Sequence, residues 1–205
     1  MYDQVRQIIS HALATEQQQQ SLLQMLDDRS QSLHKSIQIQ AKDRLNTLQF
    51  FIVDYIQHVP DCLDCIHQQA VHYGLFEAIE PFLKVTEDFF LHPPQRLQLE
   101  HQGLEALLDE SYLAHRLFEE LNDQFLARCQ VNLLPRDLSE ANLIVHDLIG
   151  DPFASELDSM VHQMAIILAK KFQTLDTRSL PKHKVALFDQ FPDFTDPHGL
   201  SLKFA

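Results

Sequence analysis

The sequence predicts an all-α fold. Apolar residues recur at steps of three and four over long stretches, only 4 of the 205 residues are Gly, and Pro rather than Gly marks most of the breaks. The expected architecture is a single-domain antiparallel helical bundle of six or seven helices over residues 1–205, with an irregular C-terminal arm over 176–205.

A first helix is expected over Asp3 to Asp28, with Val5, Ile8, Ile9, Ala12 and Leu13 on one face and the helix-compatible run Gln17 to Gln20 carrying it onward. Leu33, Ile37, Ala41, Leu45, Leu48, Ile52 and Tyr55 form the stripe of a second helix, which should stop at Val59-Pro60. Pro60 then fits the first turn of a third helix, 61–73, that ends near Gly74. The fourth, Phe76 to Leu91, is closed by His92-Pro93-Pro94, and Pro81 marks either a kink or a later start. Residues 95–131 read as one long helix running through Gly103.

Asp137-Leu138-Ser139-Glu140 has the form of an acidic capping box, which gives Glu140 the role of a cap. At Ile149-Gly150-Asp151-Pro152-Phe153 two helices should meet at a sharp corner, with Gly150 at a left-handed C′ position and Asp151 as N-cap. The last helix covers 153–175, with Phe153, Leu157, Met160, Val161, Met164 and Leu168 facing in and Lys170 and Lys171 near its negative end. Beyond Asp176, Pro181, Pro192, Pro197 and Gly199 alternate with Phe188, Phe191, Phe194 and Phe204. So many aromatic rings predict an arm packed on the bundle or on a second subunit.

A net charge of −13, from 16 basic and 29 acidic residues, repels a phosphate backbone, and no dense Lys/Arg cluster offsets it. The expectation is therefore no nucleic-acid partner. No apolar run approaches the roughly 18 residues of a membrane span, and the first residues lack the pattern of a secretory signal. Three Cys is an odd count for a disulfide framework, so a cytoplasmic location is expected.

Two groups of residues carry candidate chemistry. The first is Cys62-Leu63-Asp64-Cys65, placed by this reading at a helix N-terminus where backbone N–H groups favour a thiolate, with His58, His67 and His72 nearby. Cys62 and Cys65 are the candidate catalytic pair, although Asp61 and Asp64 oppose a thiolate by like charge. Residues 54–74 resemble, in part, the helical alkylhydroperoxidase D-like proteins, in which a Cys-x-x-Cys opens a helix, a His follows and a Gly ends it. That resemblance implies thiol redox chemistry, but Gln69 stands where the family has His and Gly74 arrives about one turn early.

The second group is polar and inward-facing. His115 and Asn122 share a sector with Leu104, Leu108 and Phe118, and on a later helix Asn142 and His146 flank another apolar face. His115, Asn122, Asn142 and His146 are the candidate ligand-binding set, and His115, Glu119 and His146 the candidate metal set, Glu119 lying four residues from His115. A hydrogen-bonded network that fixes helix register is the competing role for the same residues. Di-iron bundles need Glu-x-x-His on two helices, which the chain lacks, and only Asp158 with His162 matches the Asp-x-x-x-His of haem-oxygenase-like di-metal oxidases. No cofactor is specified.

The function expected from the sequence is non-catalytic: helix-mediated protein–protein association, as a homodimer or with another protein partner. Two alternatives accompany it, a metal-dependent or thiol-dependent oxidoreductase and a small-molecule sensor.

Overall fold

The computed structural model describes residues 1–93, 103–129, 132–134, 136–172 and 194–203. They form an all-α helical bundle with one small antiparallel sheet: α1 (Asp3–Gln19), α2 (Ser21–Ser30), β1 (Ile37–Ile39), α3 (Arg44–His72), α4 (Phe76–Leu91), α5 (Leu104–Cys129), α6 (Ser139–Ile149), α7 (Phe153–Phe172) and β2 (Leu200–Leu202). No described helix is long and apolar enough to cross a membrane.

The first predicted helix is broken in two at Gln20, which takes left-handed angles of φ 54 and ψ 31. A buried carboxylate compensates. Glu16 accepts from the backbone N–H of Leu22 at 2.9 Å, from that of Leu23 at 3.4 Å and from the Ser21 hydroxyl at 2.8 Å. It thereby caps α2 from the preceding helix, a function the Gln-rich sequence hides.

The predicted second helix begins too early. Its first turns are instead β1, where Ile37, Gln38 and Ile39 pair with Leu202, Ser201 and Leu200 of β2. Helix α3 starts only at Arg44, after Asp43 accepts from the N–H of Asn46. The expected stop at Val59-Pro60 is also absent, and the second and third predicted helices are one. An interior Pro costs about 3 kcal/mol. Ile52, Ile56, Val59, Leu63 and Ile66 are all fully buried around it, and each such side chain contributes about 1.5–3 kcal/mol, so packing outweighs the local penalty. Gly74, at φ +67, then ends α3: its N–H donates to Val71 O and that of Leu75 to Ala70 O, the paired bonds of a Schellman motif.

Helix α4 runs through Pro81 from Phe76 without a later start. Of the predicted 95–131 helix, the described part begins at Leu104, because Gly103 has φ +65 and stands outside the helix; 95–102 and 130–131 lie outside the described residues. Gly150 does turn the corner between α6 and α7, with φ 83 and ψ 153 rather than the left-handed helical values expected. Arg29 of α2 reaches this corner and donates to the carbonyls of Leu148 and Ile149, neutralising the negative end of α6. A Cβ at position 150 would clash with that guanidinium, and at φ +83 an L side chain is strained, so Gly suits both the corner and the contact.

Glu140 is not the cap expected of it. Its carboxylate accepts from the N–H of Leu202 at 3.3 Å and the Thr195 hydroxyl at 3.4 Å, while Asp137 alone accepts from the N–H of Ser139. Residues 194–203 are thus tied to the bundle by Glu140, by β1 and by Phe194, which is fully buried against Phe51, Tyr55 and His58. Phe188, Phe191 and Phe204 lie outside the described residues.

Removing the α2 cap with Glu16→Ala is expected to lower stability by about 1–2 kcal/mol in urea unfolding, and an unchanged midpoint would show the cap to be idle. A second prediction concerns Glu110, buried on α5 beside Asp109: burial, reinforced by that neighbour, raises its pKa from 4.5 to about 8. Folding therefore favours its protonated form; the contribution is complete below pH 4.5 and is lost as pH rises through 8. Glu110→Gln should gain stability over wild type progressively across that window, by several kcal/mol on the order of the linkage relation, read as diverging unfolding midpoints.

Candidate metal centre

Two polar systems meet at Tyr55 in the middle of α3. One is ionic. The Tyr55 hydroxyl donates to Asn142 Oδ1 at 2.6 Å, and Asn142 Nδ2 donates to Glu119 Oε2 at 2.8 Å. Glu119 also accepts from the Ser139 hydroxyl at 2.8 Å and pairs with Arg116. Arg116 continues to Asp158 at 3.1 Å, and Asp158 accepts from the Tyr112 hydroxyl at 2.8 Å and lies 3.5 Å from His146 Nε2. The chain of contacts runs across α3, α5, α6 and α7.

Three of its groups, Tyr55, Arg116 and Tyr112, are held in their donor forms. Burial raises Tyr55 far above the ordinary phenol range, so it stays a donor and fixes the orientation of the Asn142 amide. Burial alone would lower Arg116, but the carboxylates of Glu119 and Asp158 outweigh it and the net shift is upward. Tyr112 is raised by burial and by its bond to Asp158. From Tyr55 through Asn142, Glu119 and Arg116 to Asp158 and Tyr112 each link is a donor facing an acceptor, which is the condition for a part-buried polar network to hold helices in register.

The other system is not satisfied. His115 on α5 is fully buried, and neither of its ring nitrogens has a hydrogen-bond partner among the described residues. Its ring meets that of Tyr55 edge to face at 4.1 Å, with Phe118 at 6.0 Å. Such contacts satisfy carbon faces and leave the nitrogens bare. Each unpartnered buried polar atom costs about 1–3 kcal/mol.

Next to it stand His58 and Cys62, one turn apart on α3. The Cys62 sulfur lies 3.3 Å from His58 Nδ1, and one donor atom from each of His58, Cys62 and His115 falls within 4.8 Å of the other two. Metal–nitrogen and metal–sulfur bonds of about 2.0–2.3 Å place tetrahedral donors about 3.5 Å apart, so small side-chain adjustments would close these three on one ion. Burial, then the Arg136 charge, lowers the pKa of His58; burial, then His58 itself, lowers that of His115 much further. Both imidazoles are held neutral, the form that binds metals.

Comparison with family models, curated proteins and solved structures gives no match. The site must be read from its own chemistry.

The structure redistributes the residues singled out in the sequence. His115, Glu119 and His146 are not brought to one point: Glu119 turns to Asn142, Ser139 and Arg116, His146 turns to Asp158, and His115 turns to α3. Among the described residues the one cluster with metal-binding spacing is His58, Cys62 and His115. Asn122 belongs to neither system, since its Oδ1 accepts from the N–H groups of Leu133 and Leu134 and ties those residues to α5. Cys62 and Cys65 do not open a helix; they sit deep within α3, and both are free thiols. Burial raises Cys62 well above the ordinary thiol range, and its neighbours Cys65 and Asp61 add to this; burial raises Cys65 as well. The thiolate expected from a helix N-terminus is therefore disfavoured, and the Cys65 sulfur instead lies 3.7 Å from the Leu133 carbonyl.

In the sequence His58 stands out only as a neighbour of the Cys pair. The usable signal was His58-x-x-x-Cys62, a one-turn spacing that places both side chains on one helical face. A helix break expected at Pro60 concealed it.

If the bare nitrogens destabilise the metal-free protein, His115→Leu should be neutral or stabilising in chelator-treated samples, because an apolar side chain removes two unsatisfied groups. Thermal unfolding with and without chelator checks this. A loss above about 2 kcal/mol in chelator would mean that the imidazole already has partners there.

Proposed function

We propose that the protein binds one borderline or soft transition-metal ion, of the Zn²⁺ class, between α3 and α5, and that the role of this ion is non-catalytic. The observation that carries the reading is His115: a neutral, fully buried imidazole with both nitrogens bare, beside a second neutral imidazole and a thiol. Nitrogen and sulfur donors select zinc, copper(I) and related ions over magnesium or calcium, which need oxygen. The metal would displace the Cys62 proton and bind the thiolate, replacing a charge that burial disfavours with a neutralised one.

A non-catalytic role fits the surroundings. Tyr55 and Phe118 pack on His115, Phe194 packs on His58, and both Cys62 and His115 are wholly buried, which leaves little room for a small substrate beside those two donors. Since the ligands come from two helices and Phe194 packs over them, bound metal would join α3, α5 and the C-terminal arm.

Helix-mediated association, the reading favoured by the sequence, has weaker support. Its structural basis is a set of exposed apolar side chains, Phe50, Leu143, Ile166 and Ile167, and scattered exposed residues of this kind are ordinary on protein surfaces.

Chelator-treated protein is expected to take up one equivalent of Co²⁺ or Zn²⁺, with a near-ultraviolet thiolate-to-cobalt absorption band. At thousandfold excess over Kd the metal should stabilise the fold by about 4 kcal/mol. Cys62→Ser should abolish the band and His115→Leu should weaken binding at least about tenfold. No uptake of either ion by the wild type would defeat the proposal.

A further inference from the structure

We infer that a surface pocket beside His58 is the port through which a divalent cation reaches the buried donors; this rests on the metal reading above. Cys62 and His115 are wholly buried, whereas His58 is partly exposed and lines a pocket of 420 Å³ with Arg6, Asp54, Gln57 and Asp61. His58 is the one member of the trio that faces both the pocket and the interior.

Asp54, His58 and Asp61 follow one another at steps of four and three, so they share a face of α3. This places a carboxylate on each side of the imidazole at the mouth of the site. Carboxylates in a cleft raise the local cation concentration, and as oxygen ligands they hold a zinc-class ion less firmly than nitrogen and sulfur do. An ion gathered at the rim therefore has a downhill path past His58 to Cys62 and His115.

The same rim carries opposing charge. Arg6 of α1 bridges Asp61 at 2.9 Å and Asp64 at 2.8 Å, and His198 holds Asp54 at 2.9 Å. Arg136, over the Phe194 ring at 5.7 Å, is another cation acting on His58. Arg6 thus masks part of the attraction that Asp61 exerts. The port has carboxylates that draw the ion in and a guanidinium that slows it.

The test is stopped-flow association of Co²⁺ with chelator-treated full-length protein, followed by the thiolate-to-cobalt band. Asp54→Asn with Asp61→Asn should slow association about fivefold at low ionic strength and flatten its salt dependence, with dissociation unchanged. Arg6→Gln should speed it. Asp27→Asn with Asp28→Asn on α2 removes the same charge elsewhere and should leave the rate near that of wild type, separating local from global electrostatics. Far-ultraviolet circular dichroism of each variant establishes that α1 and α3 are intact. One equivalent bound at an unchanged rate in the Asp54/Asp61 variant, or an equal slowing in the Asp27/Asp28 variant, would overturn the port and leave the metal site standing. Absence of Co²⁺ and Zn²⁺ binding in the wild type would remove both.

Discussion

The apolar stripe of α3 passes from Leu48 to Ala70 against the rest of the core, and it does so across a Pro that by itself would end the helix. Continuity at Pro60 is what places His58 and Cys62 one turn apart, with Tyr55 just before them. A break there would have swung Cys62 to the start of a separate helix and given it the electrostatics of an exposed N-terminus. Packing energy therefore decides the chemistry of the cysteine: inside an unbroken, buried helix it is a thiol held protonated by burial beside two imidazoles.

Tyr55 divides the interior into two regimes. Its hydroxyl opens a chain of matched donors and acceptors that reaches Asp158, and its ring packs edge to face on His115, whose two nitrogens have no hydrogen-bond partner among the described residues. Neighbouring polar groups in one core ordinarily share a common fate, since an unsatisfied one can borrow a partner from the network nearby. Here Glu119 and Asn142 bond each other and Asn142 takes the Tyr55 hydroxyl, while only the Tyr55 ring reaches His115. The contrast between the partnered carboxylates and the orphaned imidazole is the observation on which the proposed metal site rests.

Much of the architecture was legible from local pattern. The helix ends at Gly74 and His92, the corner at Gly150 and the inward direction of His115, Asn122 and Asn142 follow from glycine conformation, proline placement and helical periodicity, all of which act within a few residues. The failures share a different origin. Gln20 breaks a helix because Glu16 folds back onto the next one; Ile37 to Ile39 is a strand because Leu200 to Leu202 lies beside it; Glu140 holds the arm instead of capping its own helix. Each depends on a partner that periodicity cannot name. A four-residue step puts His115 and Glu119 on one face, yet Glu119 meets Asn142 of α6 while the His115 ring meets Tyr55 of α3.

By itself the sequence determined an all-α chain, its acidic character and an interior that contains imidazole and amide groups, because composition and helical spacing act through local sterics and solvation. Tertiary structure alone decided that His58, Cys62 and His115 share one centre, that Glu119 and His146 belong to an ionic network instead, and that Asn122 holds the backbone of Leu133 and Leu134. The physical reason is that a helix face is broad enough to serve several neighbours, and which neighbour each side chain meets is fixed by how α3, α5, α6 and α7 pack together.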